Sequence, residues 1–152
     1  MLESLLSSST ISLQVHVENW QEAGQKAGEL LLENNIVEER YIQSMIDGVY
    51  EYGPYIVIAP GIALFHARPE EGVKEIGLTM ITLENPVDFG AGNKDPVDLV
   101  FALGAVDHNT HLNLMAELMR VLQDKQLLEM IRTEENVDRV LNMINKKLRE
   151  EN

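Results

Sequence analysis

Apolar and polar side chains alternate along residues 11–17, "ISLQVHV", the two-residue period of a strand with one buried face. The period then changes. Trp20, Ala23, Ala27, Leu30 and Leu31 recur at helical spacing, and Asn19 with Glu22 three residues on has the form of a capping box. A second helix is predicted from Glu38 to about Val49, with Tyr41, Met45 and Val49 on one face. The middle of the chain turns to β character. "YIVIAP", "IALF", "IGLTMITL" and "VDLVFALGAV" are short runs rich in Val, Ile, Leu and Phe, and a Pro-Gly turn joins the first two. "ARPEEGVKE" and "ENPVDFGAGNKDP" separate the later runs with proline, glycine and charge. After "VDHNTH" the helical period returns. Leu112, Met115, Met119 and Leu122 form one stripe and Leu114, Leu118 and Val121 a second, which predicts a helix covered on more than one side. A last helix is predicted to start after Thr133 as N-cap, with Glu134 and Glu135 in its first turn. It ends in Lys146, Lys147 and Arg149, the charge order that the helix dipole favours. Its buried face is read as Val137, Val140, Leu141, Ile144 and Leu148.

These elements add up to an α/β fold: a three-layer sandwich with a mixed sheet of about five strands and helices on both faces. No repeat and no Pro/Gly/Ser linker divides the 152 residues, so residues 1–152 are read as a single domain.

Composition narrows the chemistry. There is no cysteine, which excludes disulfides, thiol catalysis and cysteine-based zinc or iron–sulfur centres. No G-x-S-x-G or comparable serine setting exists for a serine hydrolase. The opening "MLESLLSSST" lacks the basic residues and long apolar block of a secretory signal, and no run is long enough to span a membrane; the expected location is cytoplasmic. The net charge of −13 repels nucleic-acid phosphates and anionic lipid, so nucleic acid is not an expected partner. The acidic surface serves solubility and would also suit a basic protein partner. Neither a monomer nor a homodimer can be read from the pattern, because an exposed apolar stripe is not distinguishable from core.

The chain has four histidines. His16 falls in the first strand pattern, at a surface or rim position. His66 ends the run "IALF" and is followed by Arg68, Pro69 and two glutamates, while His108 and His111 open the helix after the longest β run. Strand ends and helix N-termini are where an α/β fold collects its site residues, and helix-initial N–H groups suit an anion such as phosphate. Three readings of His66 stand side by side. It is a strand-end residue held by packing and one hydrogen bond; or it shares a metal ion with His108, His111 and Asp107, a weak H-x-x-H signal; or it is a nucleophile that becomes phosphorylated. An imidazole is largely neutral at pH 7 and offers a lone pair to a phosphoryl group. Such transfer then needs positioning and positive charge or N–H donors around the moving group. Arg68, a second imidazole and a helix N-terminus would supply these.

"YGPYIVIAPGIALFHARPEEGVKEIGL", followed some forty residues after His66 by "VDHNTHLNLMAEL", resembles the EIIA components of the bacterial phosphoenolpyruvate-dependent sugar phosphotransferase system. The class is the fructose/mannitol type, and the "GPY…PG…H.RPEEGV" wording is similar to its L-ascorbate branch. The resemblance runs from about residue 15 to the C-terminus. It implies a mixed sheet between helices and a phosphocarrier needing no cofactor and no metal. His66 would take a phosphoryl group from the phosphocarrier HPr and pass it to a cysteine of EIIB, and the membrane component EIIC would import the sugar. His111 falls on the family's second histidine, which helps hold the phosphoryl group. The acidic surface then matches the basic patch with which HPr docks. An EIIA-like regulatory module, sensing phosphorylation state without a transporter, is the alternative.

Three departures accompany the resemblance. The family usually has proline directly before the active histidine, where this chain has Phe65. Mannitol and fructose members carry an arginine on the preceding helix, where "MIDGVYEYG" has no basic residue; Arg68 is expected to take over its charge. His108 is outside the general pattern and is read as surface or supporting.

Overall fold

The computed structural model describes residues 1–150. A five-stranded mixed sheet runs in the order β1-β4-β5-β3-β2, with β1 at Ile11–Val15, β2 at Val57–Ala59, β3 at Ile62–Phe65, β4 at Gly77–Val87 and β5 at Val97–Gly104. β1 lies parallel to β4, β4 antiparallel to β5, β5 parallel to β3, and β3 antiparallel to β2 across the Pro-Gly turn. Alternation along the strands splits the core in two. Ile62, Leu64, Leu78, Met80, Phe101 and Leu103 face a layer made by α1 (Leu2–Leu5), α4 (His108–Leu122), α5 (Lys125–Thr133) and α6 (Val137–Glu150). Ala63, Phe65, Ile81, Leu83, Val100 and Ala102 face α2 (Trp20–Glu33) and α3 (Arg40–Tyr52). The central strands are apolar on both faces because both are covered. The expected three-layer α/β sandwich is the observed one.

The local signals explain most boundaries. Asn19 caps α2, its side chain accepting the Glu22 N–H at 2.9 Å. Tyr41, Met45 and Val49 are buried as the spacing of α3 predicts, although that helix starts two residues after Glu38. Three expectations are corrected. Thr133 does not open the last helix. It ends α5, an element the pattern did not reveal, in which Leu127, Leu128 and Ile131 are buried. α6 begins instead behind Asn136, whose side chain accepts the Arg139 N–H at 3.1 Å. On α4 only the second stripe, with Leu122, is core; Leu112 is 51% exposed and Met119 36% exposed, since no further layer covers the outer side of that helix. Finally, β4 runs on through Glu84–Pro86, which the proline and charge had assigned to a linker.

Candidate functional site

The site forms where β3 and β5 end at the same edge. Along β3, Ala63 and Phe65 point to the α2–α3 layer and Ile62 and Leu64 to the α4 layer. His66 is next, so the alternation turns it towards the layer of α4. β5 ends at Gly104 and α4 starts at His108. Asp107 fixes that helix end, its carboxylate accepting the Thr110 N–H at 2.7 Å and the Thr110 hydroxyl. The first turn of α4 then places His111 beside His66, with ring centroids 6.4 Å apart and planes tilted by 42°.

The His66 ring is held from two sides. Nδ1 lies 2.9 Å from the Leu64 carbonyl oxygen. A carbonyl can only accept, so Nδ1 carries the proton and Nε2 keeps its lone pair. Tyr55 meets the ring edge to face at 5.5 Å and 83°. Two hollows flank the imidazole. One, of about 570 Å³, lies against α3, with Asp47, Glu51, Tyr55, Arg68 and Glu71 on its walls. The other, of about 270 Å³, is bounded by Tyr41, Pro69, Asp107, His108 and His111. His66 borders both.

Electrostatics favour an uncharged second imidazole. The pKa of His111 is lowered, first by burial and then by the neighbouring His66 and His108. Asp107 is held below its ordinary value, chiefly by the Thr110 hydroxyl and amide. Both Thr110 contacts fall on Oδ1 of Asp107, the one carboxylate of the metal reading. Among the described residues no group of three histidine, aspartate or glutamate side chains is placed to hold an ion.

The structure thus brings His66, His111 and Arg68 to one edge. Arg68 is exposed ahead of the 3-10 turn Pro69–Glu71; its carbonyl accepts the Glu71 N–H at 3.0 Å, while its guanidinium makes no hydrogen bond or ion pair among the described residues. His108 is exposed on the rim of the smaller hollow. His16 stays outside, its Nε2 2.7 Å from Glu18. Phe65 is fully buried as the last residue of β3, paired with Ala102.

The described architecture has counterparts. A family model described as "Phosphoenolpyruvate-dependent sugar phosphotransferase system, EIIA 2" matches residues 4–147. The chain belongs to this EIIA family. Among its relatives, the ascorbate-specific PTS system EIIA component of Escherichia coli (strain K12) is 39% identical over 145 residues, covering 95% of this chain and 94% of the relative. The solution structure of the mannitol-specific cryptic phosphotransferase enzyme IIA CmtB from Escherichia coli is similar with a TM-score of 0.84 and 33% identity, over 96% of this chain and 99% of that one. The mannitol enzyme IIA from Escherichia coli, in complex with phosphorylated enzyme IIB, is similar with a TM-score of 0.81 and 26% identity, over 93% and 97% of the two chains.

Two tyrosines of this EIIA chain belong to the site although the pattern placed them elsewhere or nowhere. Tyr55 folds over Gly48, where a Cβ would come within 3.1 Å of its hydroxyl, so an aromatic ring occupies the part of α3 that has no basic residue. Tyr41 is fully buried, and its hydroxyl reaches the main chain directly after His66. A tyrosine on a core-facing helix stripe is the signal: its hydroxyl must find a partner when buried. No helix among the described residues is long and apolar enough to cross a membrane.

Proposed function

We propose that this EIIA chain is a phosphocarrier of a sugar phosphotransferase system, acting in the cytoplasm, with His66 Nε2 as the atom that carries the phosphoryl group. The observation that carries the reading is the Nδ1···O contact of 2.9 Å to Leu64, which leaves the Nε2 lone pair available between two open hollows. Nε2 attacks the phosphorus of phosphorylated HPr. A P–N bond forms at His66 as the P–N bond on HPr breaks, and the donor imidazole leaves with the electron pair. A cysteine thiolate of EIIB then attacks the same phosphorus, forming P–S and releasing His66 as the neutral imidazole it was. Nδ1–H stays bonded to Leu64 throughout, so the ring neither rotates nor changes tautomer. His111, kept neutral, donates an N–H to a phosphoryl oxygen, and the unpaired Arg68 guanidinium balances its charge.

The sugar is read from relatives alone: the ascorbate-specific component at 39% identity supports L-ascorbate, delivered through EIIB and the membrane component EIIC. Intact-protein mass spectrometry after incubation with phosphoenolpyruvate, Enzyme I and HPr tests the carrier role. Wild type is expected to gain one acid-labile phosphoryl group, and His66→Ala none. A wild-type chain that gains no mass beside active controls overturns the reading.

A further inference from the structure

β3 and β5 part at the residue that matters. Their last matched pair is Phe65 with Ala102. One step beyond, the Ala67 N–H and the Leu103 carbonyl are joined through a third group. The Tyr41 hydroxyl oxygen accepts the Ala67 N–H at 2.9 Å, and the same hydroxyl donates to the Leu103 carbonyl at 2.8 Å; the Ala67 carbonyl lies 3.1 Å away. A continuing parallel ladder links such main-chain groups directly. With an oxygen interposed they stand about twice as far apart as a direct hydrogen bond would hold them. Tyr41 comes from the first turn of α3 and has no exposed surface, so the oxygen is fixed by the core rather than by a mobile side chain.

We infer that Tyr41 is a positioning residue for phosphoryl transfer, its phenol oxygen ending the β3–β5 ladder and holding the chain after His66 away from Leu103. This rests on the phosphohistidine reading above. His66 is pinned on its N-terminal side by Phe65 in the ladder and on its C-terminal side by the Tyr41–Ala67 bond. Between the two pins the ring reaches back to Leu64. Without the phenol oxygen, Ala67 N–H and Leu103 C=O either close on each other, drawing His66 into the sheet edge, or remain unpaired. The first moves the imidazole relative to Leu64 and His111, and the second leaves His66 without its C-terminal pin. Burial pushes the Tyr41 phenol up to about 12, so it keeps its proton and donates to Leu103 throughout the working pH range.

The test is Tyr41→Phe in the full chain, which removes one oxygen and keeps the ring. Single-turnover transfer from phosphorylated HPr is measured over a range of chain concentrations, and the His66 ring nitrogens are observed by ¹⁵N NMR. The saturating rate is expected to fall roughly ten- to a hundredfold, the scale of a small misplacement of the reacting group, while the half-saturating concentration stays within about twofold. The ¹⁵N shifts are expected to leave the Nδ1–H pattern of wild type. An undiminished saturating rate with unchanged nitrogen shifts overturns the inference, and so does a change confined to the half-saturating concentration. Should the variant not fold, amide exchange at Ala67 in wild type decides. Protection equal to that of the β3–β5 ladder supports the clamp, and exchange at a loop rate overturns it. A wild type that accepts no phosphoryl group overturns the carrier reading and with it Tyr41's part in transfer, while nitrogen shifts and Ala67 exchange still decide whether the phenol oxygen holds the chain after His66.

Discussion

Phe65 lies against Gly24 so closely that a Cβ on Gly24 would stand 2.8 Å from Cε1 and 2.9 Å from Cζ of the ring. The glycine of α2 and the phenylalanine that precedes the site histidine are therefore one fitted pair. The ring also meets Phe89 at 5.9 Å and is fully buried, so yielding to a new Cβ would disturb packed neighbours. Phe65 thus anchors the end of β3 in the core while its neighbour His66 turns to the rim.

Gly24→Val is expected to destabilise the chain by about 1–2 kcal/mol. Overpacking a filled core costs roughly 1–3 kcal/mol, and replacing a helical glycine returns some tenths of that. Chemical denaturation should show a lower midpoint with an unchanged slope. An unchanged midpoint would mean that the ring yields freely, and that Phe65 does not hold the strand end.

Arg68→Gln should separate charge from fold. The guanidinium is exposed and unpaired among the described residues, so its loss is expected to change stability by less than about 0.5 kcal/mol. Phosphoryl transfer from HPr should slow by about tenfold or more if Arg68 balances the phosphoryl charge. Equal rates in a single-turnover assay, with Arg68→Lys as a charge-preserving control, would remove Arg68 from the mechanism.

Asp107→Ala removes the cap that sets the start of α4 and hence the place of His111. The Asp107 carboxyl titrates below its ordinary value because Thr110 bonds its ionised form. A depressed carboxyl contributes stability above its unfolded pKa, near 4, and loses it as pH falls through the folded value. The Ala variant should therefore melt below wild type at pH 7 and approach it at pH 3, while Asp107→Asn, also a good cap, keeps most of the difference closed. A gap between wild type and Ala that is independent of pH would contradict this.

What the sequence revealed depended on whether the signal was local. The cap at Asn19 and the face of Tyr41, Met45 and Val49 are set by neighbours in the chain, and they stand as read. The alternation of "ISLQVHV" gave a strand, but β1 ends at Val15 and its register shifts between Ser12 and Val15, where Gln14 takes a positive φ of 53°. α5 escaped because nine residues carry only about two and a half turns of period, and its C-terminal Thr133 has the same residue type as an N-cap. The exposed stripe of Leu112 and Met119 was unreadable for a different reason: periodicity finds a face but not what covers it. That His66, His111 and Arg68 meet at one edge was legible from type, position and family wording. Tyr41 was not, because its role depends on where two strands part, and Ala67 and Leu103 are 36 residues apart in sequence yet meet on one oxygen.

The lowered pKa of His111 gives the site a pH signature in stability. Its first cause is burial, and the neighbouring His66 and His108 imidazoles, which disfavour a further positive charge beside them, add to it. In the unfolded chain this histidine takes up a proton near pH 6.5; in the folded chain it does so only at lower pH. Between those values the unfolded state binds more protons, so the His111 contribution to stability rises with pH there and is lost as pH falls from above 6.5 towards the folded value. His111→Gln cannot take up that proton. Its melting temperature, compared with wild type, should therefore improve as the buffer is taken from pH 7.5 to pH 5.5, whatever the offset at pH 7.5. Phosphoryl transfer by the Gln variant should remain within about tenfold of wild type, because a side-chain amide still donates an N–H to the phosphoryl oxygen, whereas His111→Ala loses that donor and should fall by about tenfold to a thousandfold. Parallel melting curves for wild type and His111→Gln across this range would show that the imidazole is not held neutral by its place beside His66, and would take from His111 the role of uncharged donor.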